Sequence, residues 1–228
     1  ANSTSHESYF GDVSAIIIEN LPMWIELRST PNQRIALMDE WEEKIEKIAL
    51  KTMNKNVTSL VGVPSWMMIL IKKVIEKKGV NNILEVWPNL ELYVHGGVSF
   101  KPYKEEFKKL IPSQSFTYLE TYNATEGFFA VQDKFPSQGM LLLLNHGIFY
   151  EFIPIENYNE TNSETISLED VELDKIYAMV ITTKSGLWRY IIGDTIKFVS
   201  LDPFRIEIVG RTKHFINAFG EELVIENA

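Results

Sequence analysis

The chain changes rhythm once, and that change restricts the folds open to it. Up to about residue 122, strand-like and helix-like stretches alternate. Residues 57–63 read as a strand and residues 64–78 as a helix, with Gly79 at the usual left-handed stop. Residues 83–86 and 90–94 follow as strands, residues 102–110 as a short helix ended by Pro112, and Phe116 opens another strand. Such alternation builds a partly parallel sheet with helices against it. Beyond Gly127 the pattern is three hairpins. The first pairs residues 140–144 with 148–153 around Asn145-His146-Gly147, and the second pairs 175–183 with 187–192 around Lys184-Ser185-Gly186. The third pairs 196–200 with 205–209 around Asp202-Pro203. The expected fold class is therefore α/β: a partial mixed sheet flanked by helices over 1–130, followed by a β-rich hairpin subdomain over 131–228.

Ahead of this lies an apolar segment, residues 13–18, and then a helix start. Thr30 reads as the cap, Pro31 as the first turn and Gln33 as the partner of a capping box. Ile35, Met38, Trp41, Ile45, Ile48 and Thr52 recur every three or four residues, which predicts one amphipathic helix facing a core. Residues 157–170 are polar and acidic and read as an exposed loop.

Composition removes several functions. A net charge of −9 and a pI near 5.1 disfavour nucleic-acid and anionic-membrane surfaces, which need basic patches. With no cysteine there is no disulfide framework, thiol nucleophile or thiolate metal site. His6, His95, His146 and His214 are scattered without zinc-type spacing. No apolar run reaches membrane-spanning length, and the polar start lacks the apolar core of a signal peptide, so the expected address is the cytoplasm. Four Asn-x-Ser/Thr triplets, at Asn2, Asn56, Asn123 and Asn159, read as chance in that setting.

The central stretch is Tyr118-Leu119-Glu120-Thr121-Tyr122-Asn123-Ala124-Thr125-Glu126-Gly127. Branched and aromatic residues suit a strand, and Asn-Ala-Thr-Glu-Gly then turns the chain. An aromatic ring, a hydroxyl and a carboxylate thus arrive together at a strand end, where ligands sit in open α/β sheets. A nucleotide needs a flat face for its base, a donor to phosphate oxygen and a carboxylate for magnesium. Taken on its own, the same decapeptide is a strand followed by a capped turn. By the same token Asp194 reads as a turn residue after glycine, Arg211 as a surface ion-pair partner, and Phe149, Tyr150 and Trp188 as sheet core.

Four segments occur in one order: Gly96-Gly97, Tyr122-Asn123-Ala124-Thr125-Glu126-Gly127, the run from Gly186 through Trp188-Arg189-Tyr190 to Gly193-Asp194, and Gly210-Arg211-Thr212-Lys213. This order resembles the acyl-adenylating superfamily that includes firefly luciferase. Val86-Trp87-Pro88-Asn89-Leu90 and Phe149-Tyr150-Glu151-Phe152-Ile153-Pro154 look more like the auxin-responsive Gretchen Hagen family of acyl acid–amido synthetases, in its bacterial branch. The similarity runs from about Trp24 onward. It implies an ATP-dependent ligase that activates a carboxylic acid as its adenylate and passes the acyl group to an amine or amino acid. An acyl-CoA ligase, or a non-catalytic ligand-binding domain of the same fold, is the alternative. It also implies roles: Tyr122 stacking on adenine, Gly97 and Val98 lining the base, and Thr125 contacting the α-phosphate. Glu126 would bind magnesium, Asp194 accept from the ribose hydroxyls and Arg211 hold ribose or phosphate, with Lys213 at the hinge of a C-terminal lid. Thr125, Glu126 and Arg211 are the expected catalytic set, and ATP and Mg2+ the expected cofactors. No Ser/Thr/Gly-rich phosphate loop precedes the first helix and no lid follows Ala228, so the chain is expected to be part of a longer enzyme, inactive alone.

Overall fold

The computed structural model describes residues 2–5, 8–10, 13–159, 163–212, 215–218 and 221–224, with side-chain detail over 15–159 and 163–212. The chain divides into two compact units, Ala1–Leu119 and Glu120–Ala228.

In the first unit, β1 (Asn2–Ser5) and β2 (Ser8–Phe10) form an antiparallel pair, followed by α1 (Val13–Glu19) and α2 (Met23–Glu26). The single amphipathic helix expected from Thr30 to Thr52 is two: α3 (Gln33–Ala36) and α4 (Trp41–Thr52). The cap is also displaced. Asn32, not Thr30, accepts from the Ile35 amide at 3.3 Å, because an Asx carboxamide reaches the third amide of a turn. After β3 (Ser59–Val61) comes α5 (Pro64–Lys78), which starts at its proline and ends at Gly79 with φ 65, as its sequence predicts. Residues 83–86 are a short 3₁₀ turn rather than a strand. Asn82 and Glu85 form a reciprocal capping box there, which outweighs the β-propensity of Ile83, Leu84 and Val86. β4 (Leu92–His95) pairs in parallel with β3, and α6 (Lys104–Leu110) leads towards β5 (Thr117–Ala124). The core of this unit gathers Ile71, Val74, Trp87, Tyr93 and Phe107. Trp87 satisfies its buried indole N–H on the Thr52 carbonyl at 3.0 Å. His95 is buried against Phe100, ring centroids 4.1 Å apart, and burial pushes its pKa down to about 4. It is a neutral core histidine.

The second unit is antiparallel. β5 ends in it, followed by β6 (Gly127–Val131), β7 (Met140–Leu142), β8 (Ile148–Pro154), β9 (Ile176–Thr183), β10 (Tyr190–Leu201) and β11 (Phe204–Arg211). β12 (Phe215–Ala218) pairs with β13 (Glu221–Val224). The spatial order is β5-β6-β7-β11-β10-β9-β8. The second and third expected hairpins form, though β10 is one twelve-residue strand shared between them. The first does not form. β7 pairs with β6 and β11, and β8 with β9, so Asn145-His146-Gly147 joins strands that are not neighbours. The Tyr150 hydroxyl donates to the Leu143 carbonyl at 3.2 Å across that connection, and side chains from β6, β8, β9 and β10 share one core, so the sheet curls without pairing β7 to β8. Inside the curl lie Phe129, Phe152, Tyr177, Ile196 and Phe198, all fully buried. Within residues 157–170 the sheet gains an isolated bridge, Phe152 to Ile166.

Candidate nucleotide site

Two local irregularities in the second unit place the polar residues. The first is the β5–β6 hairpin. Ala124 faces Gly127, so the turn is only Thr125-Glu126, and Tyr122 to Ala124 belong to the strand rather than to the turn. A bulge between Tyr122 and Asn123 adds twist just before it. A Cβ at Gly127 would lie 2.9 Å from Ile148 Cδ1 and 3.0 Å from Phe129 Cε1, so any side chain there would have to move the tip of Ile148. The second irregularity is in β10. Its pairing with β9 steps from Ile191–Val180 to Thr195–Ala178, so Ile192, Gly193 and Asp194 stand against Met179 alone. Gly193 has φ 91, and its carbonyl accepts from the Thr212 amide at 2.8 Å. The bulge thereby re-aims Asp194 while β11 holds Arg211 directly opposite.

These placements bring three of the expected residues together. Asp194 accepts from the Tyr122 hydroxyl on Oδ2 at 2.7 Å and from Arg211 Nε on Oδ1 at 2.9 Å. The Tyr122 ring is 3% exposed and packs on Phe129, centroids 5.0 Å apart. An open stacking face at Tyr122 is therefore not what this conformation offers; the hydroxyl carries the interaction instead. Burial first, and then the Asp194 charge, push the Tyr122 pKa far up, so the phenol stays protonated and donates. Thr125 and Glu126 stand on the adjacent hairpin turn, with the Thr125 hydroxyl donating to Glu126 Oε2 at 2.7 Å. The Glu126 charge is felt by Tyr122 and most strongly by Tyr190, whose hydroxyl it raises through charge and a hydrogen bond. Sequence reasoning gave Tyr190 no role. The signal was there as a phenol four residues before Asp194 on the same strand.

Gly97 and Val98 belong to the first unit, in the turn after β4, where Gly97 takes φ 81. Lys213 and His214 lie outside the described residues. Phe149 and Trp188, expected in the sheet core, are instead 63% and 81% exposed, whereas Tyr150 is buried. Phe149 faces away from the packed interior because strand neighbours alternate, and Tyr150 takes the inward place. A leucine-lined pocket formed by Leu141 to Leu144 with Pro203 and Phe204 is separate from these groups. Its Leu201 wall is seven residues along β10 from Asp194, roughly 23 Å at strand rise. Among the described residues no group of three or more acids and histidines is placed to hold a metal, and no helix is long and apolar enough to cross a membrane.

Residues 1–116 match the GH3 family N-terminal domain and residues 141–211 the GH3 family central domain. The chain is 27% identical over 180 residues to the indole-3-acetic acid-amido synthetase GH3.3 of Arabidopsis thaliana, covering 71% of this chain and 30% of that relative. It is 30% identical over 128 residues to the jasmonoyl–L-amino acid synthetase GH3.5 of Oryza sativa subsp. japonica, covering 49% of this chain and 22% of the relative. Among solved structures, the GH3.15 acyl acid amido synthetase superposes with TM-score 0.62 at 15% identity, over 86% of this chain and 44% of that one. A 2-hydroxyisobutyryl-CoA ligase superposes with TM-score 0.52 at 14% identity, over 86% and 43%. Both likenesses are of fold, a mixed α/β sheet flanked by helices. The chain spans less than a third of the length of its curated relatives, and it belongs to the GH3 family.

Proposed function

We propose that this chain is part of a longer, bacterial, cytoplasmic acyl acid–amido synthetase that uses ATP and Mg2+. The parent enzyme activates a small carboxylic acid as its adenylate and transfers the acyl group to an amino acid or another amine. Family membership favours the amide product over a thioester, since the likeness to the CoA ligase is one of fold. Asp194 accepts the two ribose hydroxyls. Arg211, held against it, supplies a fixed cation beside ribose or phosphate. Thr125, on an exposed turn, donates to the α-phosphate. Gly97 and Val98 line the base with backbone, and Lys213 is the hinge residue. Magnesium takes one or two carboxylates together with phosphate oxygens, and Glu126 fits as the one carboxylate. When bound there, the ion supplies charge neutralisation on the phosphates. The residues around it position and stabilise charge rather than move protons.

One observation carries this reading: a mostly buried carboxylate on a strand bulge, held by a tyrosine and an arginine from two other strands. Calorimetric titration of AMP into the wild-type chain and into Asp194→Ala tests it. Losing two hydrogen bonds to a charged acceptor is expected to weaken AMP on the order of a hundredfold. Equal affinity in the two proteins would remove Asp194 from the site. Pyrophosphate exchange by this chain alone is expected to be absent, and measurable exchange would show it to be catalytically complete.

A further inference from the structure

Tyr122 points its hydroxyl, not an open ring face, at the functional acid, and we infer that it is the positioning residue that fixes Asp194 in the rotamer that reads a ribose diol. This inference rests on the reading of Asp194 as the ribose acceptor. Asp194 stands in a stretch where three residues of β10 oppose one of β9, while its backbone keeps register with Arg211 of β11 on the other side. The ladder places its backbone, and two donors hold its carboxylate. Tyr122 takes Oδ2 at 2.7 Å and Arg211 takes Oδ1 at 2.9 Å.

The arithmetic of lone pairs then matters. An ionised carboxylate offers about four acceptor positions, two on each oxygen. One on each is filled from within the protein, which leaves one on each for a pair of neighbouring hydroxyls. The approach directions agree. Tyr122 is buried and comes from the packed side beside Phe129, while the Asp194 side chain keeps 13% of its surface open. A vicinal diol presented from that open side meets two acceptors at fixed spacing. Without the Tyr122 hydroxyl the carboxylate has one anchor, Arg211, and can turn about it.

The test compares AMP with 2′,3′-dideoxy-AMP, which lacks the diol, by calorimetric titration into the wild-type chain, Tyr122→Phe and Tyr150→Phe. Tyr122→Phe keeps the ring and its packing on Phe129 and removes only the hydroxyl. It is expected to weaken AMP about tenfold and to leave the dideoxy nucleotide unchanged. Tyr150→Phe loses a hydrogen bond of its own, to Leu143, outside the site, and is expected to bind both nucleotides as wild type does. In an Asp194→Asn background, Tyr122→Phe is expected to add nothing, the signature of two groups acting as one. Wild-type or tighter AMP binding by Tyr122→Phe overturns the inference, and so does an equal loss for both nucleotides, which would assign Tyr122 to the base. If the wild-type chain fails to separate AMP from its dideoxy analogue, the reading of Asp194 falls and takes this inference with it.

Discussion

Strand β11 carries two arginines that each pair with an aspartate, and the two pairs are built differently. Arg205 meets Asp133 through both terminal nitrogens, one of them 2.8 Å from Oδ2, and its side chain is only 5% exposed. Arg211 meets Asp194 through Nε, with the arginine 36% exposed and the acid the more buried partner. In the first pair the cation is enclosed and the acid faces outward. In the second the acid is enclosed, a tyrosine shares it, and the cation faces outward. A closed two-pronged pair satisfies its own members and has little left to offer a ligand. An acid with one lone pair taken on each oxygen is still an acceptor. The difference predicts that the Asp133–Arg205 pair serves the fold, whereas Asp194–Arg211 serves the site.

The largest test of that division removes Asp133. Asp133→Ala leaves Arg205 charged and enclosed without its partner, and is expected to cost about 2 kcal/mol of stability, moderated because Asp133 itself is a third exposed. The urea midpoint should fall while AMP affinity of the folded protein stays at the wild-type value. A lost AMP affinity with unchanged stability would reverse the assignment of the two pairs.

A smaller effect separates the pairs by acid. The Arg205 hydrogen bonds, more than its charge, hold the Asp133 carboxyl below its ordinary value. A carboxyl lowered in the folded state contributes its stability in full above the unfolded value of about 3.9 and loses it as pH falls through the folded value. The stability gap between wild type and Asp133→Asn should therefore be wide near neutral pH and close below about pH 4. Urea midpoints across that range measure it, and a gap independent of pH would contradict the role given to this pair.

What the sequence could and could not convey follows from the range of the forces involved. Gly79 ending α5 and the hairpins around Ser185 and Pro203 were legible, because caps and tight turns are decided by a few adjacent residues. The turn Asn145-His146-Gly147 carries the same local signal yet joins strands that never pair. Which strands become neighbours is settled by the curl of the whole sheet, and no short window contains that information. The 3₁₀ turn at Ile83 shows the converse: a capping box lies in plain sight at Asn82 and Glu85, while Ile83, Leu84 and Val86 by propensity alone point to a strand. At the candidate site the sequence offers Tyr122, Asp194 and Arg211 singly, and only the folded strands show that they meet. Tyr122 was expected for its ring, and the fold uses its hydroxyl. No short window of sequence links Tyr190 to Glu126, because that relation arises only once β10 and the β5–β6 turn are both in place.

That relation gives the finest test of the comparison, because it asks whether Glu126 belongs electrically to the Asp194 side of the molecule. The Glu126 charge is the leading cause of the raised Tyr190 pKa, with burial and a hydrogen bond adding to it, and the same charge adds to the raised Tyr122 value. A phenol beside a carboxylate resists ionising because its anion would face a like charge. Glu126→Gln removes that charge and keeps the shape, so Tyr190 should ionise at a lower pH than in the wild-type chain. Tyrosine ring-carbon NMR through an alkaline titration reads each phenol separately. Asp133→Asn should leave Tyr190 where it was, since the Asp133 charge is not among the causes of its shift. If Glu126→Gln moves Tyr190 no more than Asp133→Asn does, Glu126 does not share the pocket of charge around Tyr122, and a metal carboxylate there would have to be sought elsewhere. A Tyr190 that shifts downward only in Glu126→Gln ties the hairpin acid to the buried one through two phenols, and leaves the Asp133 pair as the purely structural member.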